Sequence, residues 1–474
     1  MTTPENVERK PVDMTSSENS ALKRDALGIA HIVFFVVAAA APLTAVIGGT
    51  PLAFSLGNGA GAPAAYVIAG LIYLMFSAGF VAMSRYVGSA GAFYVFVTSG
   101  LGPTWGLAAG AMTVLTYNAI QLAAYAWFGS VLGGLAAAAG LALPWWLCTF
   151  ACILAVDFCA SRNIEFTGGI LGVCMLGEVT VLAILNLCIL AQGGGPEGIT
   201  LKSFALAQVF SPGLGISLLF AVSSFLGFEA TVIFAEEARD RLRTIPRATY
   251  VAVLLITLFY GFSAWCMVVA YGPALIKSVA NADLADLFMH TADARGGHAL
   301  QLAMTAFLVT SLFACVLSFQ STISRYLFAW GREGLLPRAL GRVHATYQSP
   351  IGACRTQSVV AAVAIGAGAL LRLDPYTVLY SWLAAASAIG ILTVQILVCL
   401  SVVAFFRRNP HETTLWDRLW APLLSGAGLA AILLLALINL PMLAGSGSRL
   451  VWTLPGAFVA AALIGLALPA LRRN

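Results

Sequence analysis

Apolar runs long enough to cross a bilayer recur along almost the whole chain, and they constrain its fold more than any other feature. A helix needs about 20 predominantly apolar residues to cross the hydrocarbon core. Twelve such segments are read, near 27–55, 62–84, 103–133, 144–161, 164–191, 213–238, 247–272, 299–329, 350–371, 376–406, 418–443 and 450–471. Charged residues make up 9% of the 474 positions and apolar residues 60%, with a mean hydropathy of +0.90. Soluble domains carry about 25% charged residues, and a water-soluble chain of this length cannot hide so much apolar surface. The expected class is an all-α polytopic membrane protein with 12 transmembrane helices.

Cytoplasmic loops collect Lys and Arg. With the N-terminus placed in the cytoplasm, five of the 25 basic residues fall outside, namely Lys202, Lys277, Arg295, Arg372 and Arg449. The other twenty fall inside. One missing span would move every later loop to the opposite side, so the asymmetry supports the span count and places both termini in the cytoplasm. The net charge of +5 is thus read as topology, with no nucleic-acid partner. Residues 1–24 are polar and are expected to form a disordered cytoplasmic tail ahead of the membrane domain, 25–474. No cleavable leader is evident. Residues 89–100, "SAGAFYVFVTSG", are too short to span and read as an interfacial helix on the cytoplasmic side. Residues 273–297 read as an extracellular lid with short helices. The low charge and short loops fit a bacterial inner membrane.

Several function classes drop out. No soluble domain longer than a loop is present to signal, and no G-x-x-x-x-G-K-[ST] loop is present to cradle ATP phosphates. The five His do not cluster, and the nine Cys lie almost all inside apolar spans without a C-x-x-C pair. They read as small buried hydrophobes. No metal-ligand spacing, cofactor motif or G-x-S-x-G argues for an enzyme.

Two spans carry internal breakers. Span 1 contains "AAAAPLTAVIGGTP", where Pro42 removes a backbone donor and Thr44, Gly48, Gly49 and Pro51 follow, so a continuous helix is not expected. Span 6 contains "SSFLGFE", in which Gly227 weakens the helix while Ser223 and Ser224 can bond the backbone locally. Lipid cannot satisfy unwound backbone, but a cavity or a ligand can. The breaks open the first span of each half, so spans 1–5 (27–191) and 6–10 (213–406) are expected as inverted repeats, with 418–471 peripheral. Half-helix N-termini suit a carboxylate, and freed carbonyls suit an ammonium group. A zwitterion uses both.

Three stretches then resemble the amino acid–polyamine–organocation (APC) transporter superfamily. "GFEATVIFAEEARDRLRTIPRA", 227–248, is similar to its G-F-[DE], Glu pair and I-P-x-A. "SAGAFYVFVTSGLGPTWGLAAG", 89–110, is similar to its small-Gly-x-Y helix and G-P-x-W-G. "SRYLFAWGREGLLPRALGRVHATYQSP", 324–350, resembles its S-R-x-x-x-A-x-x-[DR]-G-x-x-P. Two places depart: Arg241 stands where a Pro often follows the Glu pair, and "PLTAV", 42–46, replaces a Gly-x-Gly. The resemblance implies a LeuT-type fold of ten core helices plus two peripheral ones, working by alternating access. It places the substrate carboxylate near Thr44, Ala45 and Val46, after Pro42, and the amino group near carbonyls of Ser223 and Leu226. Tyr117 and Gln121, four residues apart on span 3, share a face that would line the pocket. Phe225, Phe319 and Trp382 are candidate gates or pocket walls.

Ionisable residues inside a membrane are functional candidates by default. Glu178 of span 5 is read either as a group that takes up and releases a proton each cycle or as a neutral acid bonding between helices. Glu229 would hold the half-helices of span 6 in register or couple to protonation. Glu236 and Glu237 read as an inner gate with nearby arginines and with Arg325. Hydroxyls of Ser318, Ser321 and Thr322 keep sodium coupling open. The expected activity is secondary transport of an amino acid or related amine as small-molecule substrate, with H+ as the coupling ion and import as the direction. An exchanger, a sodium-coupled carrier, and a carrier of a polyamine or other organic solute remain alternatives.

Overall fold

The computed structural model describes residues 41–87, 92–162, 164–229, 241–344, 346–347, 349–409, 413–443 and 449–471. No β-strand occurs among them. The main helices are α1 (Pro42–Ser55), α2 (Ala62–Ser84), α3 (Ala92–Leu101), α4 (Pro103–Ala138), α5 (Trp145–Ala160), α6 (Ile164–Ala191), α7 (Leu214–Ser223) and α8 (Arg241–Tyr271). They continue with α9 (Ile276–Ala282), α10 (Leu287–Gly296), α11 (His298–Arg332), α12 (Ile351–Leu370), α13 (Ser381–Arg408), α14 (Ala421–Ile438) and α15 (Thr453–Leu471). Each of the twelve expected apolar segments overlaps one of these helices. By length and composition, seven helical stretches among the described residues can cross a membrane: Gly59–Ser84, Pro103–Ala138, Leu242–Tyr271, His298–Arg332, Ile351–Leu370, Pro375–Arg408 and Trp416–Ile438. Shorter apolar helices fall in four further segments. The chain is a multi-pass helical membrane protein.

Proline starts several of these helices because its missing N–H is one of the unpaired donors of a first turn. At α1 it also makes the break. Ala41 precedes Pro42, which disfavours the right-handed helical region for its neighbour, and Ala41 adopts φ 44°. Downstream the expectation needs correcting: α1 runs unbroken through Thr44, Gly48, Gly49 and Pro51 to Ser55. Two glycines leave the turn before Pro51 without side chains to crowd its ring. The N-terminal half of span 1, 27–40, lies outside the described residues, as do the tail at 1–24 and the span-6 residues 230–238.

α1 packs against α7, α11 and α6, so both broken spans meet at one place. α3 is the expected short helix at 89–100. It lies against α4 and α13 and buries Phe93, Phe96 and Val97 completely. The expected lid at 273–297 holds α9 and α10. α9 is fastened to the end of α1: Lys277 Nζ donates to the Gly57 carbonyl at 2.9 Å, and Ser55 donates to Asn281 Oδ1.

In the lid, His290 Nδ1 lies 2.6 Å from Asp283 Oδ2. The hydrogen bond to Asp283 holds the His290 pKa above its ordinary value. The stabilisation is therefore full below about pH 6.5 and is lost as pH rises through the raised value. Amide exchange in α9 and α10, corrected for intrinsic rate, is expected to speed up above neutrality in the wild type and not in His290→Ala. Equal pH dependence in both would rule this pair out as the cause.

Candidate functional site

A cavity of about 30 Å³ lies where the breaks meet. A buried water needs about 10–15 Å³ by this measure, so the space equals roughly two waters. Thr44 and Ala45 of α1 form one wall, and Ser223, Ser224 and Leu226 at the end of α7 form another. Ile120 and Ala124 of α4, Cys315 and Phe319 of α11, and Tyr380 complete it. Among the described residues, no lining side chain is a carboxylate or a cation.

The α1 break is organised by a carboxylate. Pro42 has no N–H, so the first donors of the helix are Leu43 and Thr44. Leu43 N–H points to Glu178 Oε2 at 3.4 Å. Thr44 N–H points to Ser311 Oγ at 3.3 Å, and the Thr44 hydroxyl donates to the same oxygen at 2.9 Å. Ser311 in turn donates to Glu178 Oε2 at 2.7 Å. Glu178 is 2% exposed, and its acceptor atom faces the positive end of the α1 dipole. Ala45 N–H returns to the Ala41 carbonyl at 2.9 Å.

The α7 break is organised by a second one. α7 ends at Ser223, and the chain runs through turns with Gly227 at φ 102°, a conformation open to glycine at little cost. Glu229 Oε2 accepts the Gly227 N–H at 3.0 Å, and Glu229 Oε1 accepts the Tyr117 hydroxyl. The hydroxyls of Ser223 and Ser224 both donate to the Phe220 carbonyl, at 2.8 and 3.0 Å. The Ser223 carbonyl receives Leu226 N–H at 3.3 Å.

Of the expected substrate residues, Thr44, Ala45, Ser223, Ser224, Leu226 and Phe319 thus surround one cavity. Others stand elsewhere. Pro42 heads α1, and Val46 is buried in the core. Tyr117 serves Glu229 and packs on Phe319 with ring centroids 5.6 Å apart. Gln121 is not a cavity residue but belongs to an amide network: it donates to Gln320 Oε1 at 2.9 Å and accepts from Gln357 at 2.7 Å. A single helix face is wide enough to hold Ile120 and Ala124 towards the cavity while Gln121 bonds α11 and α12. Phe225 stacks on Tyr73 at 4.7 Å, away from the cavity. Trp382 lies at the margin of the core, two residues and about 200° round the helix from Tyr380. Thr322 returns its hydroxyl to the Ser318 carbonyl at 3.0 Å. Arg325 lies on α11, half-buried, while Glu236 and Glu237 lie outside the described residues. No group of His, Cys, Asp and Glu that could hold a metal ion occurs among the described residues.

Tyr380, missed in the sequence, belongs to an aromatic cover. Asp374 caps a π-helical turn, Pro375–Tyr380, by accepting Thr377 N–H at 2.6 Å. This turn stacks Tyr376 on Tyr380, centroids 5.2 Å apart, with Trp127 tilted against Tyr380 at 4.9 Å. The Tyr376 hydroxyl donates to the Gly48 carbonyl at 3.1 Å. The signal in the sequence was the pair of tyrosines four apart after an Asp-Pro cap.

A family model described as amino acid permease matches residues 27–467. The low-affinity putrescine importer PlaP of Escherichia coli (strain K12) is 24% identical over 75% of this chain and 76% of its own length. The branched-chain amino acid permease BcaP of Bacillus subtilis (strain 168) is 22% identical over 89% of each chain. The Asc-type amino acid transporter 1 of Homo sapiens is 24% identical over 64% of this chain and 56% of its own.

Proposed function

The chain belongs to the amino acid permease family, and from that premise we propose that it is a secondary transporter importing a neutral amino acid by alternating access, coupled to protons. One observation carries the reading: an uncharged cavity lies between the N-terminal end of α1 and the C-terminal end of α7. The α1 end suits a carboxylate, and the carbonyls at the α7 end suit an ammonium group. A diamine would bring a second cation with no counter-charge in the lining, and an unpaired buried charge is costly. Glu229, three residues beyond Leu226 of the α7 wall, is already engaged by Tyr117 and Gly227.

The cavity holds less than even glycine needs. Loading therefore requires the walls to part, as an alternating cycle does. Spans 1–5 and 6–10 form the two inverted repeats of this proposal, each led by a broken helix, with both termini in the cytoplasm of a bacterium. Glu178 is the proton carrier.

A thermal-shift screen of detergent-purified protein against the amino acids and putrescine tests this. A ligand at about 100 times its Kd adds about 2.7 kcal/mol to the folded state. A raised midpoint with neutral amino acids and none with putrescine is expected. A shift with putrescine alone would transfer the chain to the diamine carriers and sink the zwitterion reading.

A further inference from the structure

The donors at the start of α1 form a relay with one direction. Thr44 N–H and Thr44 O–H both end on Ser311 Oγ, and Ser311 O–H ends on Glu178 Oε2. Leu43 N–H ends on the same carboxylate oxygen. Thr44 is also a wall of the cavity. A carboxylate belonging to the protein therefore sits at the helix end that suits the carboxylate of a substrate.

We propose that Glu178 is an internal occupant of this helix end, displaced by the substrate's carboxylate, and that Ser311 is the positioning residue through which the exchange is made. The inference rests on the amino acid site proposed above.

Counting donors gives the mechanism. An ionised Glu178 only accepts. Once protonated, it carries an O–H that must itself be given away. Its neighbour at 2.7 Å is Ser311 Oγ; that bond then reverses and frees the Ser311 O–H as a further donor for the arriving carboxylate. Ser311 Oγ has two lone pairs and would face three donors: Glu178 O–H, Thr44 O–H and Thr44 N–H. One must leave. Thr44 releases a donor on the cavity side, and the arriving carboxylate accepts it. At the α1 end one proton enters as one carboxylate enters, so the charge of that end is unchanged, while the ammonium group lies at the α7 end. Proton and substrate thus favour one another's binding, and by linkage the effect is mutual.

Among the described residues, the other titratable groups facing Glu178 are Tyr260 of α8 and Cys315 of α11. As a phenol and a thiol they titrate ordinarily at about 10 and 8.5, above the window of the test.

Binding of L-alanine and L-alaninamide to the full-length protein in detergent, by calorimetry between about pH 5.5 and 7.5, tests the proposal. The alanine Kd should tighten as pH falls, towards a limit of about tenfold per unit while Glu178 is ionised in the free protein. Alaninamide, which has no carboxylate, should show no such slope. Glu178→Gln should bind alanine without pH dependence. Ser311→Ala should bind more tightly than wild type at pH 7.5 and show a shallower slope, and Ser311→Thr should restore it. A flat wild-type profile, or an undiminished slope in Glu178→Gln, overturns the inference alone. Absence of alanine binding at every pH overturns the amino acid site as well, so the two failures are distinguishable.

Discussion

Replacing Gly48 with alanine should cut the initial rate of substrate uptake into proteoliposomes by about tenfold or more. A methyl group at this position would overlap the Tyr380 hydroxyl and the Trp127 ring. Both belong to the aromatic cover of the cavity, and Tyr376 is bonded to the carbonyl of Gly48 itself. Overpacking of this kind costs about 1–3 kcal/mol. Spent against the covered conformation, it lowers that population by about 5- to 150-fold. A carrier that cannot close one side cannot complete a cycle. Tyr380→Ala in the Gly48→Ala background makes room for the methyl and should recover part of the closure. Wild-type rates in the single variant would mean that the cover takes no part in transport.

Glu229→Ala should produce the largest loss of stability among single changes at the site. Glu229 is 1% exposed and is the acceptor for both Gly227 N–H and the Tyr117 hydroxyl. Alanine leaves both donors buried without a partner, at about 1–3 kcal/mol each. The span-6 turn then lacks the group that holds Gly227 at positive φ. The thermal midpoint in detergent should fall clearly for Glu229→Ala and much less for Glu229→Gln, which keeps an amide oxygen as an acceptor. Equal midpoints for the alanine variant and the wild type would show that the turn is held by packing alone.

The two breaks were legible from local chemistry. Pro42 must disturb the residue before it, and Gly227 beside a serine pair must weaken a helix, whatever surrounds them. The exact path of α1 was not: Gly48, Gly49 and Pro51 suggested further unwinding, yet the helix continues because neighbours pack closely around them. The short helices within 273–297 and at 92–101 were also legible, because each lies between apolar runs and is too short or too polar to span.

Among the cavity residues, Thr44, Ala45, Ser223 and Leu226 were placed by the resemblance to the APC superfamily, and Ser224 lies beside the span-6 break. The side chains that face the breaks from other helices do not follow from the breaks themselves. Tyr117 and Gln121 share a helix face, but one meets Glu229 and the other enters an amide network with α11 and α12. Tyr380 reaches the cavity through a π-helical turn, which a 3.6-residue period does not anticipate.

Composition and spacing alone determined that the chain dissolves in a bilayer, that it crosses repeatedly, and that its first and sixth spans cannot be plain helices. These are consequences of solvation and backbone chemistry, and they act within a few residues. Tertiary structure alone decided which carboxylate serves which break. Glu178 lies 135 residues from Leu43 and 133 from Ser311, and Tyr117 lies 112 from Glu229. Such pairings depend on the rotation of each helix about its axis. Helix rotation is set by close packing over the whole bundle, and almost uniformly apolar faces leave no local pattern from which to read it.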